Sequence, residues 1–404
     1  MRTLTLQADI TPSRLRYNRD LYPREIKGTL PTLLSGEWCQ FSDETRKKIY
    51  LGYYNPHTES APPGRIVCEL AKPFSSDQLE IDVAKREVKR LMEKAWERKK
   101  NFKNYEEGFR LSHGASDELP GLVVDVYQNM VLIQINTAGM DRLREEIRTT
   151  LRGFFPEKII HFLDQESYRK AELLPFYEKD QLDRDLEVSE NGFHYVIPAS
   201  VLQKVGFYYD HRENREKMEK KILTCKRSFK KGADLFCYAG GWGLHLLRAG
   251  VENVTFVDQG NLEAMVSENI KRSGFEGRGK FQRADVFQYL DDCKVRGETF
   301  DILVSDPPAF KKNEKNKDAA LAGYEKLHGK IFRVLEKEAL LSICSCTHNI
   351  SLEELDRTVT QAALKEGRRV YMLDVGIQGM DHSFSSFADK NHYLKYILYW
   401  VETL

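Results

Sequence analysis

Residues 234–243 read Asp-Leu-Phe-Cys-Tyr-Ala-Gly-Gly-Trp-Gly, an apolar strand that enters a turn built on Gly240, Gly241 and Gly243. A helix is expected after the turn. Glycine at such a place lets the backbone come close to a ligand at the carboxyl end of the first strand of an α/β sheet. Outward from this turn the chain alternates. NVTFVD, KFQRADV, FDILVSD, ALLSICSC and RRVYMLD have the apolar runs of buried strands. Helical segments are expected between them, including one around 326–336 and one over 352–365. Strands alternating with helices predict βαβ units and a doubly wound, mostly parallel, Rossmann-like sheet from about residue 191 to 404. The final run, HYLKYILYWV, has no helix after it and is expected as an antiparallel edge strand.

Acidic residues close the first strands. Asp258 ends the second, where a carboxylate accepts both ribose hydroxyl protons. Asp285, in RADVF, ends the third and is placed to meet an adenine amino group. The GxGxxG spacing is absent, so the tight pyrophosphate turn of a nicotinamide site is not encoded. An adenosine ligand without a pyrophosphate points to S-adenosylmethionine. Asp234, Tyr238, Gly240, Gly241, Gly243, Asp258, Asp285 and Asp306 are the candidate cofactor residues of this region. The plainer alternative is a sheet whose glycines serve packing only.

The fourth strand ends in Asp306-Pro307-Pro308-Ala309-Phe310, a rigid loop suited to holding a flat base, with Phe310 available to stack. Lys311 and Lys312 follow it, where a substrate strand would pass. The fifth strand ends in Cys344-Ser345-Cys346-Thr347-His348. Alternation puts both cysteines on one side, but only Cys346 sits at the carboxyl tip, where ligands lie. A pyrimidine C5 is a poor nucleophile until a thiolate adds to C6. Cys346 is the expected nucleophile, and Asp306, if protonated, could hydrogen-bond N3 and stabilise the adduct. A buried structural cysteine is the common alternative.

The rest of the chain sets bounds. A length of 404 residues predicts two or three domains. Residues 1–72 hold short strand-like pieces broken by Gly and Pro, which suit a small β-barrel. Residues 73–190 read as a small α+β domain, with a helix from about residue 81 and then a strand–strand–helix–strand order. Lys plus Arg total 62 against 61 Asp plus Glu, so any nucleic-acid contact must be local. Clusters at 85–103 and 212–231 each hold nine basic and three acidic residues. The seven cysteines include no CxxC pair and no zinc spacing, so free thiols and no metal are expected. No signal peptide or membrane-spanning run is evident, and a cytoplasmic location is the default.

These stretches together resemble the bacterial 23S ribosomal RNA cytosine-5 methyltransferases that carry an N-terminal PUA-like domain. The matching residues are 118–127 (ELPGLVVDVY), 203–212 (QKVGFYYDHR) with Asn214 and Arg215, Asp234 to Gly243, Asp306 to Phe310, Cys344 to His348, and Tyr393 to Lys395. The resemblance implies that Phe207, Asp210 and Arg212 help to enclose the cofactor and that Cys346 is the nucleophile. The chain departs from it at the N-terminus, which lacks the family's His-Pro-Trp-Val-Phe, and at Asp381-His382-Ser383, where the family has Asp-His-Pro. The expected function is methylation of a cytosine C5 in ribosomal RNA, with rRNA as partner, no membrane, and a homodimer left open. An rRNA N-methyltransferase using the Asp-Pro-Pro loop without a covalent adduct is the rival, and a non-catalytic ribosome-assembly protein is the third reading.

Overall fold

The computed structural model describes residues 2–404 apart from 46, 59–60, 74–79, 103–104, 176, 178–181, 203–205, 310–316 and 387–390. The chain forms two compact units. One comprises Met1–Ser189, Leu202–Gly206 and Met380–Asn391, the other Glu190–Val201, Phe207–Gly379 and His392–Leu404.

The second unit is built on seven strands: β1 (Lys231–Leu235), β2 (Asn253–Asp258), β3 (Gly279–Arg283), β4 (Phe300–Ser305), β5 (Leu335–Ser345), β6 (Arg368–Gly376) and β7 (Lys395–Thr403). Their order across the sheet is β3-β2-β1-β4-β5-β7-β6. The first five are mutually parallel, and parallel neighbours need crossovers, which helices supply. The helices are α1 (Arg212–Thr224), α2 (Gly241–Arg248), α3 (Glu263–Arg272), α4 (Val286–Arg296), α5 (Lys317–Phe332) and α6 (Leu352–Lys365). Strand order reverses between β1 and β4, so the crevice at their carboxyl ends is the topological switch point where such sheets bind ligands. Leu235, Leu303, Leu341 and Ile343 form one core with Tyr324, Leu327 and Ile331 of α5 and Leu355 and Val359 of α6.

Two expectations are corrected here. The last strand, β7, is antiparallel but not an edge: it pairs with β5 on one side and β6 on the other. Its residues from Lys395 to Tyr399 are all buried, as an internal strand requires. β6 takes the edge, and its side chains are mostly exposed or half-buried. The helix expected at 326–336 ends at Phe332, because Leu335 already pairs with Phe300 and opens β5. The charged run Leu335-Glu-Lys-Glu338 mimics a helix face but belongs to a strand end.

The first unit holds a five-stranded sheet (Thr3–Thr5, Glu37–Ser42, Ile49–Tyr54, Gly64–Leu70, Asp20–Leu21, in that spatial order) and a four-stranded one (Phe109–His113, Leu122–Val126, Met130–Ile135, Ile159–Phe162). The helix Glu80–Lys99 lays Val88, Leu91 and Met92 against Leu111, Val124 and Ile133, and Trp38, Leu51 and Tyr53 join the same core. Tyr53 ties the two sheets further, its hydroxyl donating to the Pro120 carbonyl at 2.7 Å.

Candidate active site

The turn after β1 is bent sharply. Phe236 and Tyr238 have φ of 62° and 46°, and Gly240 has 87°. Left-handed backbone at a residue with a Cβ costs about 1 kcal/mol or more, and it persists only where the surroundings enforce it. Here they do. The Tyr238 N–H donates to Asp258 Oδ2 at 3.2 Å, and the Gly243 N–H donates to Asp234 Oδ2 at 2.8 Å. Asp234 is fully buried beneath the turn. Burial pushes its carboxyl up to about 8, against the pull of the Gly243 N–H and with the Asp306 charge adding to the rise. It therefore braces the turn from below. Gly243 serves packing: a Cβ there would lie 2.2 Å from the Phe256 ring of β2. Gly240 serves conformation.

The acidic positions are arranged as an adenosyl group requires. Asp258 is half-buried at the end of β2 and receives the Gly260 N–H at 2.8 Å on its other oxygen, which leaves lone pairs on both for ribose hydroxyls. Asp285 is exposed at the end of β3, where its Oδ1 caps α4 through the Gln288 N–H at 3.1 Å. Tyr238 is half-buried with its ring edge-on to the exposed Tyr208, 5.5 Å between centroids. The residues present fit S-adenosylmethionine: a strained glycine turn for close backbone approach, one carboxylate for a ribose and one for an amino group.

Asp306 stands at the tip of β4. Its Oδ2 accepts the Trp242 indole N–H at 3.0 Å, and its Oδ1 faces His211 Nε2 at 3.5 Å. Burial opposes its ionisation, but the His211 ring, the Trp242 hydrogen bond and the Arg215 charge outweigh it and hold the carboxyl below its usual range. This direction favours the carboxylate, an acceptor only, over the protonated form on which a contact with N3 depends. Cys346 lies just past the end of β5, half-buried, with Sγ 3.9 Å from the carbonyl oxygen of Pro307. Burial, then the charges of Asp306 and Asp210, push its thiol up to about 12. Cys344, one strand position behind, is fully buried.

The remaining expected site residues divide. Asp210 is buried near the same end of the sheet, with Oδ2 accepting the Tyr393 hydroxyl at 2.7 Å. Arg212 is buried over the Tyr209 ring at 4.1 Å, and Phe207 is buried with its ring 4.7 Å from that of Tyr195. Pro307 is buried and Pro308 exposed. Phe310, Lys311 and Lys312 lie outside the described residues. Several members of the basic clusters are paired: Lys99 is buried on Asp117 at 2.7 Å, Lys94 pairs with Glu118 at 3.3 Å, and Arg215 is buried on Glu190 at 2.8 Å. Trp242 and His211, which touch Asp306, were not singled out by sequence. The signal was there in part, since a tryptophan inside a glycine turn has no local structural reason.

Strand order 3-2-1-4-5-7-6, the strained turn and the acidic strand tips define a protein of the S-adenosylmethionine-dependent methyltransferase class. Solved structures share the fold. A methyltransferase crystallised with SAH superposes with a TM-score of 0.76 at 18% identity, covering 99% of this chain and 100% of its own. An S-adenosylmethionine-dependent methyltransferase from Streptococcus mutans gives 0.74 at 18% identity, with the same coverage. No family model matches the chain. Among curated proteins, the ribosomal RNA large subunit methyltransferase I of Aeromonas salmonicida is 31% identical over 294 residues, 71% of this chain and 73% of its own length. That of Tolumonas auensis is 27% identical over 407 residues, covering 97% and 98%. The chain belongs to the ribosomal RNA large subunit methyltransferase I family.

Proposed function

We propose that this protein methylates C5 of a cytosine in large-subunit ribosomal RNA through a transient bond between Cys346 and C6 of the base. The observation that carries the reading is the placement of Cys346 Sγ 3.9 Å from the Pro307 carbonyl, beside the Asp306 carboxylate, at the carboxyl ends of β4 and β5 next to the switch point. Asp258 and Asp285 would hold the ribose and adenine of S-adenosylmethionine, which supplies an electrophilic methyl group when bound. Cys346 Sγ, once deprotonated, bonds to C6 and the ring electrons move onto C5. With the methyl in place, C5 loses its proton to a base, the Sγ–C6 bond breaks, and the aromatic ring is restored. Asp306, as a carboxylate, accepts a hydrogen bond from the exocyclic amine and orients the ring. In this reading residues 1–72 are a PUA-like barrel, 73–190 a middle domain and 191–404 the catalytic domain. The confinement of one sheet to residues 3–70, one to 109–162 and one to 231–403 supports that division, while the paired strands Leu186–Glu190 and Phe193–Ile197 straddle its second boundary.

A second reading has its own observation. An acceptor-only Asp306 beside a prolyl carbonyl also suits methylation of an exocyclic amine, and a thiol raised to about 12 is no ready nucleophile. The two part at Cys346→Ala. Tritiated methyl transfer from S-adenosylmethionine onto rRNA lacking the modification should fall below detection in the variant, and bisulfite mapping should place the wild-type product at a cytosine C5. Retained transfer by the variant, with the label on a base amine, would refute the carbon-methylation reading.

A further inference from the structure

Asn214 decides which nitrogen of His211 carries the proton. Its Nδ2 lies 3.0 Å from the carbonyl oxygen of Ile377 and 3.2 Å from His211 Nδ1. A carbonyl oxygen only accepts, so the Asn214 atom facing it is the amide NH2, whose second proton is left for His211 Nδ1. Nδ1 is then the acceptor, and a proton there would meet the Asn214 N–H. A ring held in this way carries a hydrogen on Nε2. Nε2 is buried and makes no hydrogen bond among the described residues; it faces Asp306 Oδ1 at 3.5 Å, an electrostatic contact, while the Trp242 indole holds Oδ2 at 3.0 Å. Each carboxylate oxygen thus faces a fixed N–H donor from the protein.

We propose that His211, locked in its Nε2–H form by Asn214, is a specificity-determining positioning residue. It keeps Asp306 an acceptor and so selects a target base that offers an exocyclic amine, cytosine rather than uracil. The O4 of uracil would set one acceptor against another in a buried site, and sites built to receive a donor reject analogues lacking it far more strongly than apolar pockets reject a missing methylene. This inference rests on the reading of Asp306 as the group that contacts the base. His211, Asp306 and Cys344 also bring their ligand atoms within 4.8 Å of one another, a spacing that could admit a cation. A nitrogen that carries a proton has no lone pair for a metal, and burial holds the Cys344 thiol well above its ordinary range.

The test is single-turnover methylation of two rRNA transcripts that differ only in cytosine or uracil at the target, with S-adenosylmethionine affinity measured alongside by calorimetry. His211→Gln, whose amide can restore the donor, is expected to keep the cytosine preference. His211→Leu is expected to slow transfer to cytosine and to narrow the preference by about tenfold or more, with cofactor affinity unchanged. His211→Phe keeps a ring in the pocket but offers no N–H to Asp306; the same narrowing is expected of it if His211→Leu does not fold. An unchanged preference in His211→Leu or His211→Phe overturns the role of His211, as does a stoichiometric divalent metal in the purified protein. A wild type with no preference between the two bases overturns instead the reading of Asp306.

Discussion

Cys346 has the right place and the wrong charge for its proposed task. An unperturbed thiol titrates near 8.5, but burial and the carboxylates of Asp306 and Asp210 push this one up to about 12. A cation that interacts with it is Lys395, whose Nζ is buried and donates to the Thr347 and Tyr393 carbonyls at 2.8 and 3.0 Å. Burial lowers the ammonium to about 8, although the Cys346 sulfur pulls it the other way. The thiolate is therefore scarce in the free protein. Alkylation of the Cys346 peptide by iodoacetamide, followed by mass spectrometry, should be slow at pH 8 and rise about tenfold per pH unit towards pH 10. Asp306→Asn removes a negative charge that disfavours the thiolate, so labelling should speed up. Fast labelling at pH 8 that ignores this substitution would contradict the account. At this scale the sequence was a partial guide. Cys346 could be found because strand alternation and the strand tip are local. The ionisation of Asp306 could not, because the groups that fix it, Trp242 in α2 and His211 before α1, arrive from distant parts of the chain.

Among elements, the contact of α2 with β2 leaves little room for change. A Cβ on Gly243 would sit 2.2 Å from the Phe256 ring, inside any real carbon contact. Gly243→Ala must push the helix or the ring aside, and overpacking of this kind costs about 1–3 kcal/mol. Urea denaturation should show the loss, and Phe256→Leu in the same chain should recover part of it. An unchanged midpoint for the single variant would mean that the helix has slack the distance denies. The alternation of β1 to β5 with helices was legible because strands buried on both faces read as apolar runs bounded by turns. The inserted position of β7 was not, because pairing partners are a tertiary property and chain order suggested an edge. Phe109–His113 went unread for another reason. Its polar residues break the apolar pattern, yet two of them are satisfied across the strand: Arg110 by Asp125 at 2.8 and 2.9 Å, and Ser112 by the Leu122 carbonyl at 2.7 Å.

At the scale of the molecule, near-equal totals of acidic and basic residues conceal buried charge in the catalytic unit. Glu190 pairs with Arg215 at 2.8 Å and faces His245 at 3.3 Å, while Glu219 binds His245 and, at 2.7 Å, Arg248. No spacing in the sequence announces this network, since its members precede β1 or lie on α1 and α2. Burial alone would raise both glutamates, but the Arg215 and His245 contacts hold Glu190 well below the usual range, and hydrogen bonds from His245 and Arg248 bring Glu219 to about 2. A carboxyl depressed on folding adds stability above its unfolded value, near 4.3, and that stability is lost as pH falls through the folded value. Asp234 acts in the opposite sense. Raised to about 8, it favours the folded state fully below about 4 and loses that contribution as pH rises towards 8. The urea midpoint of the catalytic unit should therefore be highest near pH 5, lower at pH 3 and lower again at pH 8 than at pH 5. Asp234→Asn should flatten the slope between pH 5 and 8, whatever it does to the absolute midpoint, because the variant has no proton to release. Glu219→Gln should shallow the fall between pH 5 and 3 and leave the alkaline side alone. A slope between pH 5 and 8 that survives Asp234→Asn would show that the carboxyl beneath the glycine turn is already ionised in the folded protein, and that the turn is braced by charge instead of by a buried acid.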